Sequence, residues 1–226
     1  PVDVTLADPI TGKPDTLSLS LAHLQAVTRL LSYSPTSVSV MPLLIEQAAE
    51  GNYGPLAAQA LLAINSLDDA LSYGMHNAVA CTEDAPYFDD FIRESLDAQA
   101  IADSYLGARQ HESLATMCSV WPVGVIDADF KTPVLSDRPV LVLSGEADPV
   151  TPARNGERAI GENGAYLSNA RHLIAPGQGH GTAIHGCMPQ LIGAFVEAAS
   201  HEGIDEACLT RLRPEAFFLD FSATAP

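Results

Sequence analysis

The segment Pro139-Val140-Leu141-Val142-Leu143-Ser144-Gly145-Glu146-Ala147-Asp148-Pro149 constrains this chain more than any other. A run of valine and leucine between Pro139 and Ser144-Gly145 suits a parallel strand covered on both faces, and it delivers Asp148 onto a loop. A second short apolar run, 173–175, leads into Gly177-Gln178-Gly179-His180-Gly181, which sets a histidine on a glycine-rich turn. Between the two, residues 152–161 read as a helix with Pro152 near its first turn, where helix starts accept proline. Residues 183–200 follow as an amphipathic helix with Leu191, Ile192, Phe195 and Val196 on one stripe. Strand–helix–strand–helix with short connections demands a parallel sheet, so the fold class is α/β. Two parallel strands cannot make a covered sheet by themselves, and something else has to supply the rest.

The first half has a different character. Val2, Val4 and Leu6 alternate with polar residues, Asp8-Pro9-Ile10-Thr11-Gly12-Lys13-Pro14 carries turn chemistry, and Leu17 and Leu19 alternate again: a hairpin over 1–20. From Leu21 the period becomes helical and runs to about Ser34-Pro35. A second helix is predicted over 38–50, stopped by Gly51-Asn52, and a third from Gly54-Pro55 to about Ile64, with Asn65-Ser66 as a break before 67–77. Helical spacing resumes through Phe88, Phe91, Ile92, Leu96 and Ile101, returns over 111–120, and ends at Trp121-Pro122. A short helix is predicted at 204–209, ahead of a tail bearing Phe217, Phe218, Leu219 and Phe221.

The 226 residues are enough to bury a core, and no apolar run reaches the ~18 residues of a membrane span. Asp and Glu number 28 against 11 Lys and Arg, a net charge of −17. Such a surface repels phosphate backbones and anionic lipid, which excludes nucleic acid and membrane as partners. It reads first as a soluble, self-repelling surface, with a site that attracts a cationic group such as a peptide amino terminus as the alternative. The four cysteines allow three connectivities. Cys187 and Cys208 bracket a predicted helix and turn, and Cys81 and Cys118 bracket the Glu83-Asp84 segment; disulfides of an exported protein and buried thiols both fit. No C-x-x-C pair and no Cys/His ligand spacing occurs, so neither a metal nor a cofactor is expected.

Asp148 and His180 lie 32 residues apart, room for a loop, a helix and a strand, and both belong at the carboxyl edge of the sheet, where α/β folds place ligands. An aspartate that orients an imidazole, and an imidazole that moves a proton to and from a nucleophile, is the chemistry this pairing serves. His185 is the rival base, but it falls where a helix starts and reads as a capping or solvent residue. The nucleophile itself is missing. Its usual setting is a G-x-S-x-G turn between strand and helix. The nearest match, Ala70-Leu71-Ser72-Tyr73-Gly74, follows Asp68-Asp69 rather than a β-branched run, so Ser72 is rejected.

Residues 140–152 and Gly179-His180-Gly181 resemble the C-terminal region of tripeptidyl aminopeptidase-like α/β-hydrolases, relatives of proline iminopeptidase. Gly74-Met75, Ala78-Val79-Ala80-Cys81-Thr82-Glu83-Asp84 and Met117-Cys118-Ser119-Val120-Trp121-Pro122 are similar to the helical cap of that family. The opening hairpin is similar to the insertion leading from its sheet into the cap. The resemblance implies a hairpin at 1–20, a helical cap (lid) over 21–125 and the last parallel strands of the hydrolase core over 137–226. It implies Asp148 and His180 as catalytic acid and base, with Glu83 and Asp84 holding the α-ammonium of a peptide substrate. Their alternative role is to cap the helix starting near Ala85-Pro86. Bracketing and resemblance together pair Cys81 with Cys118 and Cys187 with Cys208, and place the protein in the periplasm or exterior of a bacterium.

The expected function is therefore part of a serine exopeptidase, whose serine and oxyanion donors lie in an N-terminal half that this sequence does not contain. That half would be the chain's partner, and the chain alone would be inactive. The rival expectations are a non-catalytic peptide-binding module and an esterase or amidase of the same fold, acting on small esters or amides.

Overall fold

A computed structural model describes residues 1–88 and 109–224. The chain forms two compact units: Pro1–Ala26 with Ala57–Thr132, and Val27–Leu56 with Pro133–Pro226. Residues 27–56, expected in the cap, thus fall with the segment that carries Asp148 and His180.

The first unit opens with the expected hairpin. Strands β1 (Val2–Ala7) and β2 (Pro14–Leu19) pair antiparallel, with Val2 opposite Leu19 and Ala7 opposite Pro14. Its turn is organised by the Asp8 carboxylate, which accepts the N–H groups of Ile10 (3.1 Å) and Thr11 (2.6 Å), the way aspartates close turns. Helix α1 (Leu21–Leu31) follows, divided between the units, as is α4 (Gly54–Ala70). After α4 come α5 (Tyr73–Val79), a π-helical turn at Ala80–Asp84, a 3-10 turn at Ala85–Tyr87 and, further along, α6 (Arg109–Cys118). The Cys81–Cys118 disulfide ties the π-turn to the end of α6. Leu19, Ala57, Ala60, Leu61, Ala80 and Cys81 are buried here. The helical spacing predicted between Phe91 and Ile101 lies outside the described residues.

The second unit begins with the end of α1, then α2 (Pro35–Val38) and α3 (Met41–Ala49). Strand β3 (Val140–Gly145), helix α7 (Ala153–Ile160), strand β4 (Ala170–Ala175) and helix α8 (Met188–Ala198) follow in the predicted order. The strands are parallel, with Val140 opposite Ala170 and Gly145 opposite Ala175. One face of this ribbon packs Leu173 and Ala175 against Met188 and Leu191 of α8, with Leu141, Leu143, Leu209 and Leu212 around them. The other face is close to α7, where a Cβ on Gly156 would meet His172 at 2.8 Å and Val142 at 2.9 Å. The Cys187–Cys208 disulfide joins the start of α8 to a 3-10 turn at Glu206–Arg211. A final ribbon pairs β5 (Phe218–Asp220) with β6 (Ala223–Thr224), and the Phe218 N–H donates to the Ser39 carbonyl.

Several element boundaries differ from expectation: β4 begins at Ala170 rather than at 173, the helix predicted over 67–77 is interrupted at Leu71-Ser72, and the helix predicted at 204–209 is a 3-10 turn at Glu206–Arg211. The helix predicted over 38–50 starts later, as α3 at Met41 with Pro42 in its first turn, and the separate short helix α2 precedes it at Pro35–Val38. The predicted break at Asn65-Ser66 is absent, because the Asn65 amide donates to the Asp8 carboxylate at 3.2 Å rather than competing with its own backbone. The helix predicted over 183–200 starts at Met188, since Gly186 has φ +55° and Pro189 occupies the first turn. Among the described residues no helix is long and apolar enough to cross a membrane.

Candidate active site

Asp148 and His180 meet because the ends of β3 and β4 are sewn together beyond the last strand pair. Glu146 and Ala147 donate their N–H groups to the carbonyls of Ala175 (3.1 Å) and Gln178 (2.9 Å), so the aspartate loop continues along the histidine loop. Contact is tight enough to dictate composition. A Cβ on Gly145 would stand 2.1 Å from the Gly179 carbonyl oxygen, and one on Gly179 would stand 2.3 Å from the carbonyl oxygen of Tyr33. Both positions need glycine for the space, not for the backbone angle.

The side chains face each other. His180 Nδ1 lies 3.1 Å from Asp148 Oδ2. A carboxylate only accepts, so Nδ1 carries the proton and donates. The remaining lone pairs of Asp148 are also engaged: Oδ1 accepts the N–H groups of Val150 (2.8 Å) and Thr151 (2.9 Å), and Oδ2 accepts the Thr151 hydroxyl (2.8 Å). Burial opposes ionisation here. The Thr151 and Val150 amides, the Thr151 hydroxyl and His180 outweigh it and hold the Asp148 carboxyl below the usual carboxylate value. The Asp148 side chain is 5% exposed and that of His180 40% exposed, so the acid is sealed while the imidazole keeps an open side. In charge and hydrogen bonding the pair can hold one imidazole tautomer and stabilise the imidazolium that forms when a proton arrives.

Thr151 was not singled out from the sequence, although an aspartate followed three residues later by threonine at a strand end carries the signal of an Asx-type turn. Tyr33 and Arg29 also reach this site, from more than a hundred residues upstream, and carried no sequence signal at all. The Tyr33 ring is edge-on to the His180 ring, with centroids 5.4 Å apart, and the His180 N–H donates to the Tyr33 carbonyl at 2.6 Å.

The other candidates lie elsewhere in the chain. Ser72 directly precedes α5 and follows α4 with only Leu71 between them, so no strand enters it and it has no elbow geometry. His185 does not start a helix: it sits extended after the short turn Thr182–Ile184, three residues before α8. Glu83 and Asp84 are in the π-turn of the first unit. Asp84 makes no capping bond to the turn at Ala85–Tyr87; it forms a half-exposed ion pair with Lys131 at 3.8 Å. An exposed pair of this kind contributes about 0–1 kcal/mol.

A parallel strand–helix–strand–helix ribbon here brings an aspartate and a histidine together at its carboxyl edge, where α/β folds place their ligands. A family model described as TAP-like protein (Abhydrolase_4) matches residues 103–208, a span that contains Asp148 and His180 and ends on Cys208. The match supports an α/β-hydrolase C-terminal region and, with it, a hydrolase. No curated protein and no solved structure matches the chain. The two disulfides are consistent with an extracellular location.

Proposed function

We propose that this chain supplies the acid, the base and a substrate-recognition segment of a serine exopeptidase that releases N-terminal residues or short peptides. The observation that carries the reading is the His180–Asp148 contact at 3.1 Å through Nδ1, with the acid sealed and the imidazole open. That arrangement leaves Nε2 to take the proton of an attacking serine and return it to the leaving amine. The serine and the oxyanion donors come from a preceding segment outside this sequence, because Ser72 has no elbow. Without them the two largest contributions to rate are missing, so the chain alone is inactive. Glu83 and Asp84 are the residues that hold the substrate's α-ammonium group. The protein acts in the periplasm or outside the cell.

The test joins this chain to its genomically preceding segment and challenges it with a fluorophosphonate probe and with free-amine and N-acylated peptides. The expected result is labelling and release of N-terminal residues by the joined protein, neither by the chain alone, and loss of both on His180→Ala. Release from free-amine peptides alone supports ammonium recognition, and Glu83→Gln should then raise KM roughly tenfold, the scale of a lost charge-assisted hydrogen bond. Cleavage of simple esters with no peptide release would make it an esterase. Peptide binding without labelling would make it a binding module and overturn the catalytic reading.

A further inference from the structure

Arg29, in the last turn of α1, donates from its guanidinium to the Pro149 carbonyl at 3.1 Å, directly beside Asp148 in the chain. The same guanidinium carbon lies over the Tyr33 ring, 5.6 Å from its centroid. Tyr33 in turn accepts the His180 N–H and sets its ring edge-on to the imidazole, at an interplanar angle of 62°. Arg29 and Tyr33 are both half-buried, and Gly179 lets the Tyr33 carbonyl approach the histidine loop within a distance that any side chain there would block. One helix end therefore touches the aspartate loop with one residue and the histidine loop with another, and the two residues stack on each other.

We propose that Arg29 and Tyr33 are positioning residues for the acid–base pair: they clamp the loop of Asp148 to the loop of His180 and fix the orientation of the imidazole. The inference rests on the reading of Asp148 and His180 as acid and base, and adds that this chain assembles that pair in its working geometry before any nucleophile is present. The Asp148 loop is held at its own end by the Val150 and Thr151 amides, and the Thr151 hydroxyl, given to the carboxylate at 2.8 Å, reaches His180 Nδ1 only at 3.5 Å, a weak restraint on the imidazole. The histidine side chain is two-fifths exposed and one rotation about its side-chain bonds would carry Nδ1 away from the carboxylate. The Tyr33 ring against one side of the imidazole removes that freedom, and the Arg29 contact keeps Tyr33 in register with the acid loop. Preorganisation of this sort is what catalytic orientation requires, because small misplacements are expensive.

The experiment uses the full chain with 15N-labelled histidine and follows the His180 ring Nδ1–H by NMR. In the wild type the signal should be that of a donating Nδ1–H with slowed exchange. Tyr33→Phe keeps the ring and should leave it unchanged. Tyr33→Leu and Arg29→Met should each speed its exchange about tenfold, the fold-change that goes with weakening one hydrogen bond, while Arg29→Lys recovers part of the loss. Asp148→Asn serves as the reference, since it removes the acceptor and should abolish the slowed exchange. Circular dichroism on each variant separates loss of orientation from loss of fold, and Tyr33→Phe with Arg29→Lys keeps the comparison open if the larger changes unfold the unit. Wild-type exchange in Tyr33→Leu and Arg29→Met, with loss in Asp148→Asn, would overturn the clamp and leave the acid–base reading standing. Unchanged exchange in Asp148→Asn would overturn the acid–base reading, and the clamp with it.

Discussion

Asp148 is a buried carboxylate with three hydrogen-bond donors of its own loop and an imidazole around it, and its ionisation is coupled to folding. In the unfolded chain an aspartate titrates at about 3.9. In the folded chain these donors prevail over burial and the value is lower. The charge therefore contributes stability that is complete above about pH 4 and is lost as pH falls through the lower, folded value. Asp148→Asn removes that contribution and its pH dependence. Calorimetric melts between pH 3 and 7 should show the gap in Tm between wild type and variant at its largest near neutrality and narrowing below about pH 4; a constant gap would contradict the assignment. At this scale the meeting of Asp148 with His180 was legible, because each stands at the end of a recognisable apolar run. Thr151 was partly legible as turn chemistry. Tyr33 and Arg29 were not, since what places them is a backbone-to-backbone approach across the fold that leaves no mark on the local sequence except two glycines.

The elements follow the apolar pattern where packing and local propensity agree. The apolar runs 140–143 and 173–175 read as strands because Leu141, Leu143, Leu173 and Ala175 are needed on one face of the ribbon, against α8. Met188, with no exposed surface, is the largest contribution of α8 to that contact. Met188→Ala should cost about 2–5 kcal/mol, the range for truncating a buried aliphatic side chain, measurable as a shift in denaturant midpoint at unchanged slope. The boundaries that sequence reading placed differently are those decided by one residue's partner or angle. Asn65 stays helical because Asp8 engages its amide, and α8 starts late because Gly186 adopts a left-handed angle that no apolar periodicity encodes. A tertiary contact decided the first, and local backbone conformation the second.

At the level of the whole molecule, each unit carries one disulfide, closing spans of 37 and 21 residues, and chain-entropy reasoning assigns each about 3–4 kcal/mol. The cysteine pairing was legible from bracketing together with family likeness. The division into units was not: the sequence changes character near Asp137, yet residues 27–56 join the later segment, because Tyr33 and Ser39 offer carbonyls to its backbone. Hydrophobic runs reveal which residues are buried, and not which run of the chain they are buried against.

The β3–β4 ribbon has a colloidal consequence. Among the described residues each of these strands pairs only with the other, so the ribbon presents two outer rows of peptide groups, the template on which unlike chains and copies of one chain stack. Opposing this is a charge of −17, which keeps molecules apart for as long as the Debye length is long. Salt should therefore set the solubility of the isolated chain. Static light scattering should rise from monomer toward larger species between roughly 0.01 and 1 M salt as the screening length falls from about 30 to 3 Å, and the rise should be suppressed by an added lysine on the outer edge of β3.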